Sequence, residues 1–246
     1  MSLRPRITLY VDIVSPFAYE AYYILRNDRA FKECEIEYVP ILLGGLMKRC
    51  GNTAPIYIKN KDKWIQVERL RWARAFGVPM KDDAPPGFPP RTLTAMRAVS
   101  VVASMDKGRN QDRLTRVLDA LFHGLWAEHR PVHEPEVLDE VLRSVLGNEE
   151  ARQGKVTVLM CFSVSLWFAS TDNSSAVVSK IVTEGKDILA SNTDRAFSDG
   201  AFGLPWMICT NAKGQKEGFW GVDHLGLVIQ FLGLKRVTEA GWKALL

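Results

Sequence analysis

The sequence predicts an α/β protein, because strand-like segments near both ends of the chain enclose a long helical middle. The first observation is a strand, a helix and a second strand in direct succession, over residues 6–14, 16–30 and 34–42. Strand, helix and strand at this spacing form a βαβ unit with parallel strands. The second observation is a pair of strand-like segments at 205–212 and 214–221. We expect the two β regions to meet in one sheet.

The first strand leads directly into Ser15 and Pro16, in the stretch "LYVDIVSPFAYEAY". Proline favours the first position of a helix, because its fixed φ suits the helix and its missing N–H would have no partner there. Ser15 then stands at the N-cap, where serine is common for structural reasons alone. The same position has free backbone N–H groups and the positive end of the helix dipole, which stabilise an anion. Because serine has no sulfur, a thiolate held beside Ser15 would come from a ligand.

Helical periodicity dominates the middle of the chain. The clearest apolar stripe lies at 112–128, and two more helices are predicted at 92–105 and 134–147. Prolines exclude helix from the connector 84–91. A helix is also predicted at 63–78, and its expected buried face contains Trp64, Val67, Leu70, Arg71 and Ala75.

The last part of the chain predicts a hairpin followed by a helix. Lys213 and Gly214 lie in the expected turn, and Asp223 is expected to cap the last helix. Together with the βαβ start, this order predicts a thioredoxin-like fold whose βαβ and ββα halves are separated by an inserted helical domain. We place the thioredoxin-like domain at 1–45 and 199–246, and the inserted helical domain at 46–198.

The segment "VTVLMCFSVSLWFAS" does not fit this pattern. It is an uncharged apolar run in a region otherwise rich in charge, and it is shorter than the roughly 20 residues that a membrane span needs. A buried core segment is one interpretation. Because removing about 156–174 joins two helical patterns, we expect an atypical in-frame insert there, and a retained intron is one possible origin.

Composition and charge exclude several classes of function. The 32 basic and 28 acidic residues are scattered, so no nucleic-acid or membrane surface is predicted. Four distant cysteines without a CxxC pair indicate reduced thiols and an intracellular, reducing compartment; cytoplasm, mitochondrion and peroxisome are not distinguished. No metal site is expected, since His123, His129 and His133 lack ligand spacing and an accompanying thiol or carboxylate cluster.

The stretch "AFGLPW" supplies a second candidate element of the site. In thioredoxin-like folds a cis-proline before the third strand faces the N-terminus of the active-site helix. The residue before that proline, here Leu204, then offers its backbone N–H and C=O to an extended peptide ligand. Gly-Leu-Pro alone is more often a simple turn, but its place before the hairpin favours the functional interpretation.

Five motifs occur in the order and rough spacing of one known family. "VDIVSPFAYEAY", "GNTAPIYIKNK", "RTLTAMRA", "AFGLP" and "FWGVDHL" make the chain similar to the kappa-class glutathione transferases and to the bacterial 2-hydroxychromene-2-carboxylate isomerases. The resemblance covers most of the chain except the insert. It implies a DsbA-like thioredoxin fold with a helical insertion, glutathione as co-substrate and a homodimer.

The resemblance also implies roles for individual residues. Ser15 matches the serine that hydrogen-bonds the glutathione thiolate, and Asp223 matches the acid that binds the γ-glutamyl ammonium group. Leu204 and the cis-proline Pro205 are implied to contact the cysteinyl unit, and Asn52 is implied to line the site and the electrophile pocket. For Lys61 the implied contact is either the glycyl carboxylate of glutathione or an acidic substrate. Val222 stands where many members have serine, so only its backbone N–H is available.

The pocket for the second substrate is expected to differ from that of other members. Trp64 occupies a position where tyrosine is frequent. Phe17 and Tyr19 are candidates for the wall of this pocket, and packing within the helix is the alternative for both.

The leading functional prediction is a glutathione transferase that activates the thiolate for attack on a small hydrophobic electrophile. An isomerase that adds the same thiolate transiently to a conjugated double bond is the nearest alternative. An alternative from another functional class is a non-catalytic binding module with a thioredoxin fold. Val222 and the insert favour this alternative mildly. A disulfide oxidoreductase is disfavoured because no cysteine occupies the Ser15 turn.

Overall fold

The computed structural model describes residues 3–106, 110–147, 174–235 and 240–243. The insert expected at 156–174 lies outside these ranges except for its last residue, and Cys161 lies outside them as well. The other cysteines, Cys34, Cys50 and Cys209, are free thiols.

Four strands form one mixed sheet in the order β2-β1-β3-β4. They are β1 (Arg6–Val11), β2 (Glu35–Pro40), β3 (Trp206–Thr210) and β4 (Lys216–Trp220). β1 pairs with β2 in parallel, while β3 lies antiparallel to both β1 and β4. The two β regions, distant in sequence, therefore meet in one sheet as predicted, and the α/β thioredoxin-like fold is confirmed.

Helix α1 (Pro16–Asn27) connects the parallel strands. Its apolar side packs on the sheet face that carries Leu9 and Met207, both of which are fully buried. The hairpin between β3 and β4 turns at Asn211, whose side-chain oxygen accepts the N–H groups of Lys213 and Gln215. Gly214 in this turn has φ +81°, a conformation that favours glycine, which explains the Lys-Gly pair in the sequence.

The middle of the chain is helical, as predicted. Its helices in the described part of the chain are α2 (Leu43–Arg49), α3 (Lys61–Phe76), α4 (Leu93–Met105), α5 (Asp112–His123), α6 (Pro135–Leu146) and α7 (Ser174–Ser198). α7 packs on α4, α2 and β2, so the helical block rests directly on the sheet. The division into two domains at residues 45 and 199 stays a prediction.

The helix predicted at 112–128 is α-helical only as far as His123. Gly124–Glu128 forms a π-helical turn instead. Val132 packs so closely on Gly124 that a Cβ there would lie 2.8 Å from a methyl group of Val132. The wider turn places Trp126 in the core, with its indole Nε1 donating to the carbonyl of Ile13 at 2.9 Å. This contact connects the helical block to the loop that follows β1.

The predicted buried face of α3 is wrong. Trp64 and Val67 are about half exposed, and the fully buried residues are Arg69 and Ala73. The reason is that Arg69 binds the carbonyl oxygens of Lys81 and Asp82, at 2.8 and 2.6 Å. Polar contacts to the following loop, rather than an apolar stripe, therefore set the orientation of this helix.

The last helices also begin differently from the prediction. Helix α8 (Leu225–Leu232) follows a 3₁₀ turn formed by Val222–His224, and Asp223 makes no capping hydrogen bond to either. The expected N-cap role of Asp223 is therefore wrong. Further on, α9 (Ala240–Lys243) packs on α3 through the buried Trp242. Within the described ranges, no helix combines the length and the apolar character that crossing a membrane requires.

Candidate functional site

Three loops leave the sheet at the same end of its strands. Tyr10 near the end of β1 is paired with Trp206 at the start of β3, and Trp206 is paired with Trp220 at the end of β4. The loop after β1, the loop before β3 and the loop after β4 therefore meet at one place. α1 contacts the 3₁₀ turn that follows β4, which closes this corner.

Ser15 lies at the N-cap of α1, as predicted from the Ser-Pro pair. It has an extended backbone, and its Oγ accepts the N–H of Ala18 at 3.1 Å. Its own N–H donates to the carbonyl of Asp12 at 3.1 Å. A serine hydroxyl has one proton to donate in addition to its acceptor lone pairs. Because Ala18 uses only a lone pair and no acceptor for this hydroxyl lies among the described residues, Ser15 can donate its hydroxyl proton to a ligand.

Asp12 holds the loop that contains Ser15, and the sequence reasoning missed it. Its carboxylate accepts the N–H of Leu43 at 2.8 Å and that of Val14 at 3.2 Å, which ties this loop to the start of α2. Complete burial raises the pKa of Asp12 to about 6, although hydrogen bonds from Leu43, Val14 and Thr92 act in the opposite direction. The sequence contained one signal for this role, namely an acidic residue directly after a strand of buried apolar residues.

The peptide bond between Leu204 and Pro205 is cis, as the sequence predicted. The carbonyl of Pro205 accepts the N–H of Gly221 at 3.1 Å, which joins the loop before β3 to the loop after β4. Among the described residues, neither the N–H nor the C=O of Leu204 has a hydrogen-bond partner. Leu204 therefore offers one donor and one acceptor in the arrangement that an extended peptide requires.

Asn52 lies against the loop that carries the cis-proline. Its side-chain Nδ2 donates to the carbonyl of Phe202 at 2.8 Å, and its Oδ1 accepts the N–H of Thr53 at 2.9 Å. The thiol of Cys50 donates to the neighbouring carbonyl of Ala201, with a donor–acceptor distance of 3.4 Å. The segment after α2 thus supports residues 201–205 from one side, and Asn52 is exposed beside them.

The loop after β4 presents an acid and free amides. The side chain of Asp223 is 61% exposed, and its Oδ1 lies 3.4 Å from Nδ1 of His224. Val222 is buried, so only its backbone is available to a ligand. The first amides of a helical turn have no partner inside that turn. Among the described residues, no acceptor pairs with the backbone N–H of Val222 or of Asp223. These groups can bind an ammonium and a carboxylate side by side.

Lys61 is the first residue of α3 and is exposed. Its backbone N–H donates to the carbonyl of Ile58 at 2.9 Å, which fixes the start of the helix. The predicted contact of its side chain with glutathione or with an acidic substrate stays a prediction.

A cavity of about 210 Å³ opens beside Pro16, next to the Ser15 turn. Its walls are mostly apolar and aromatic, and they include Ile56, Ile65, Phe88 and Trp126. Asp62, Lys63, Gln66 and Arg69 supply its polar atoms. The sequence reasoning found none of these residues, because no local pattern connects residue 126 with residues 56–69.

The three residues predicted to form the wall of the second-substrate pocket do not line the cavity beside Pro16, and their role stays a prediction. Tyr19 is buried and stacks on Phe122, with ring centroids 5.1 Å apart, so it fills the packing role that the sequence left open. Phe17 is partly buried against the core. Trp64 is half exposed on α3 and does not line the cavity, although its neighbours Lys63 and Ile65 do. A contact of Trp64 with a ligand stays a prediction.

The part of the chain that the structure describes holds no group of three or more histidine, cysteine, aspartate and glutamate side chains that could bind a metal. The three histidines of the helical block each lie near a different acid: His123 near Glu128, His129 near Asp83 and His133 near Glu134.

The sheet order, the helical block after β2 and the cis-proline before β3 define a protein of the thioredoxin-like class. Residues 6–155 match the family described as a DSBA-like thioredoxin domain, and the chain belongs to that family.

Curated relatives extend the similarity over nearly the whole chain. The chain is 25% identical to glutathione S-transferase kappa 1 of Caenorhabditis elegans over 239 residues, which cover 94% of this chain and 92% of the relative. It is also 25% identical to the rat enzyme of the same name, over 96% of this chain and 94% of the rat enzyme. A solved structure of 2-hydroxychromene-2-carboxylate isomerase has a TM-score of 0.66 at 20% identity. The alignment covers 93% of this chain and 94% of the solved one. The resemblance indicated by the five motifs is confirmed.

Proposed function

We propose that this protein is a glutathione transferase that binds glutathione at the corner formed by Ser15, Leu204 and Asp223. The observation that carries the proposal is the Ser15 hydroxyl at a helix N-terminus, at the same end of the sheet as the cis Leu204–Pro205 bend. Within the described ranges, neither the hydroxyl proton of Ser15 nor the backbone of Leu204 has a hydrogen-bond partner. The curated relatives named glutathione S-transferase kappa support the same function.

Each part of the tripeptide has a complementary group at this corner. The free N–H and C=O of Leu204 pair with the cysteinyl backbone, as when an extended peptide adds to a sheet edge. Asp223 takes the ammonium of the γ-glutamyl residue, and the amides of Val222 and Asp223 take its carboxylate. Asn52 lines the site, and Lys61 carries the positive charge for the glycyl carboxylate.

Activation of the thiol is an electrostatic effect. A free cysteine thiol has a pKa of about 8.5, so only a small fraction is thiolate at neutral pH. Lowering the thiol pKa by about 2 units requires about 2.7 kcal/mol of preferential stabilisation of the thiolate. A hydroxyl hydrogen bond to an anion and a helix N-terminus together supply energies of this size.

The chemistry then needs little else from the protein. The thiolate sulfur attacks an electrophilic carbon held in the cavity beside Pro16, a C–S bond forms, and the leaving group departs with its bonding pair. Positioning of the two substrates next to each other accounts for the remaining rate enhancement.

The test combines binding, thiol ionisation and turnover for the native chain and for Ser15→Ala. We expect retention on immobilised glutathione, a thiolate absorbance near 240 nm at neutral pH, and conjugation of 1-chloro-2,4-dinitrobenzene. Ser15→Ala should still bind glutathione but lose most of the thiolate absorbance and of the turnover. A variant with undiminished conjugation would contradict the proposed role of Ser15.

Two other outcomes separate the alternatives. Thiolate formation without conjugation of any halide, together with cis–trans isomerisation of a ring-opened aromatic acid, would identify the isomerase activity. Failure of the native chain to bind glutathione would instead favour a non-catalytic binding module.

We further infer a homodimer, supported by apolar side chains exposed on α3 and on the 3₁₀ turn (Pro55–Tyr57) that precedes it. Tyr57 is 74% exposed and Trp64 is 53% exposed, and Ile58 and Val67 are exposed beside them. Contiguous exposed apolar residues of this kind commonly mark an interface. Sedimentation velocity should show a dimer for the native chain and a monomer for Trp64→Asp. A native chain that is monomeric at every concentration would exclude this dimer.

A further inference from the structure

The cavity beside Pro16 contains a buried cation that the transferase chemistry does not use. Arg69 is 1% exposed and lines the cavity together with Pro16 and Trp126. A fully buried arginine is unusual, because removing its charge from water is costly unless it is paired. The pairing of Arg69 is incomplete, as its hydrogen bonds show.

Three of the five N–H groups of Arg69 have partners. Nε donates to the side-chain oxygen of Gln66, Nη1 to the carbonyl of Lys81 and Nη2 to the carbonyl of Asp82. All three acceptors are uncharged. Each Nη carries a second N–H, and neither of these has a partner among the described residues. The guanidinium is thus held rigidly with two donors left over.

The nearest buried acid does not neutralise this cation by direct contact. Glu20 lies on α1 one turn after Pro16 and is 0% exposed, and neither of its carboxylate oxygens accepts a hydrogen bond from a residue in the described part of the chain. Its burial raises its pKa well above the ordinary value, with the charge of Arg69 opposing the shift. A carboxyl group in this position holds its proton at neutral pH more readily than an exposed glutamate does. Because Glu20 accepts no hydrogen bond from Arg69, the two remaining N–H groups of Arg69 stay available to a ligand.

Apart from Glu20 and Arg69 itself, the charged side chains of the described residues that line the cavity or act on Arg69 are exposed to solvent. Asp62 and Lys63 line the cavity as adjacent exposed residues of opposite charge. Asp82 and Asp83 act on Arg69 at longer range. Solvent screens these exposed side chains, whereas Arg69 is shielded from solvent.

The aromatic wall suits a planar substrate that reaches this cation. The guanidinium carbon of Arg69 lies 5.9 Å from the ring centroid of Trp126, and Phe88 packs on the same indole with centroids 5.4 Å apart. About 210 Å³ is less than the 300–1,000 Å³ of sites for drug-sized ligands, so the space fits a single substituted ring. A ring along Trp126 would direct a carboxylate at the two free N–H groups, a pairing that arginine forms readily.

We propose that Arg69 selects the second substrate of this site, favouring a planar aromatic electrophile that carries a carboxylate over its uncharged counterpart. This inference rests on the proposed transferase function and specifies its substrate class. Arg69 is the specificity-determining residue, since it binds the carboxylate and takes no part in the displacement itself.

The test compares two electrophiles that react in the same way and differ in charge. With 1-chloro-2,4-dinitrobenzene and with 4-chloro-3,5-dinitrobenzoate, the glutathione sulfur replaces chloride, which leaves as the anion. Arg69→Met should lower kcat/KM for the benzoate at least tenfold and change kcat/KM for the neutral electrophile less than threefold, with the KM for glutathione unchanged. Comparing each variant with the native chain removes the difference in intrinsic reactivity.

Arg71→Met is the matched control. Arg71 is on the same helix, but it is exposed, pairs with Glu68 and does not line the cavity. This variant should keep the native ratio of the two kcat/KM values. An equal loss for both electrophiles in Arg69→Met, or no loss for the benzoate, would overturn the proposal.

A binding measurement on the native chain covers the case in which Arg69→Met does not fold. Equilibrium dialysis should show that 4-nitrobenzoate binds at least tenfold more tightly than 4-nitrobenzamide. Equal binding of the two would overturn the proposal. The same measurement separates the two failures: if no electrophile is conjugated but the benzoate still binds preferentially, the transferase function fails and the anion site stands.

Discussion

The side-chain amide of Asn52 donates a hydrogen bond of 2.8 Å to the carbonyl oxygen of Phe202, two residues before Leu204. This bond connects the segment after α2 to the loop that ends in the cis-proline. Because the ligand is proposed to pair with the backbone of Leu204, the position of that loop determines how well glutathione binds.

Removal of this bond should weaken the binding of glutathione. In Asn52→Ala, we expect the KM for glutathione to rise about 5- to 10-fold, since one hydrogen bond contributes about 1 kcal/mol. Steady-state kinetics with varied glutathione measure the change. Asn27→Ala is the control, because Asn27 also donates to a backbone carbonyl, that of Tyr23, at the other end of α1. An equal rise in both variants would contradict a role for Asn52 at the site.

Asp223 should recognise the ammonium group of glutathione specifically. We expect Asp223→Asn to weaken glutathione binding about tenfold, because a charged hydrogen bond contributes roughly 1.5–3 kcal/mol. An analogue of glutathione without the α-amino group should bind the native chain and the variant equally well. Isothermal titration calorimetry measures all four affinities. Glu217→Gln, a change of an exposed acid on β4, should have no effect, and equal losses for both ligands in Asp223→Asn would refute the assignment.

Trp126 should connect the stability of the helical block to the site. In Trp126→Phe the hydrogen bond to the carbonyl of Ile13 is lost, and we expect both a lower melting temperature and a reduced kcat/KM for the electrophile. Trp242→Phe is the matched control, because the buried Trp242 also loses one indole hydrogen bond, to Asp28 at 2.9 Å. The control should lose stability and keep its kinetics. Unchanged kinetics in Trp126→Phe would argue against the cavity as the electrophile site.

Buried acids should make the protein less stable as the pH rises from about 4.5 towards neutrality. The pKa of Asp12 is raised to about 6 and that of Glu20 is also raised, so the folded state keeps protons that the unfolded state has released. The free energy of unfolding therefore falls with rising pH in this window. Glu20→Gln should reduce the fall and stabilise the protein at pH 7.5, as measured by urea denaturation at several pH values.

Glu184→Gln is the control for this effect, because Glu184 is exposed on α7. It should leave the pH dependence unchanged. A native chain whose free energy of unfolding rises between pH 4.5 and 7 would contradict the raised pKa values of Asp12 and Glu20.

Local patterns predicted much of this fold. The strands and the hairpin follow from alternation and turn residues, and Ser15 at the start of α1 follows from Ser-Pro. Helix α2 was not predicted, because two glycines interrupt its short sequence. Asp223 was predicted as a helix cap, but it lies inside a 3₁₀ turn that begins one residue earlier, at Val222.

The cavity could not be predicted, because its residues meet only through tertiary contacts. Arg69 appears in the sequence as one of several arginines on a polar helix, and its burial depends on carbonyl groups of the loop at 81–82. Trp126 looks like one more apolar residue of α5, and only the π-helical turn directs it to the carbonyl of Ile13.

The pKa of the glutathione thiol in the complex tests the central claim most directly. It is obtained by titrating the thiolate absorbance near 240 nm with the native chain and with Ser15→Ala. The proposed mechanism predicts a thiol pKa about 2 units below the free value in the native complex and a rise of at least 1 unit in the variant. A bound thiol with the same pKa in both proteins would contradict it.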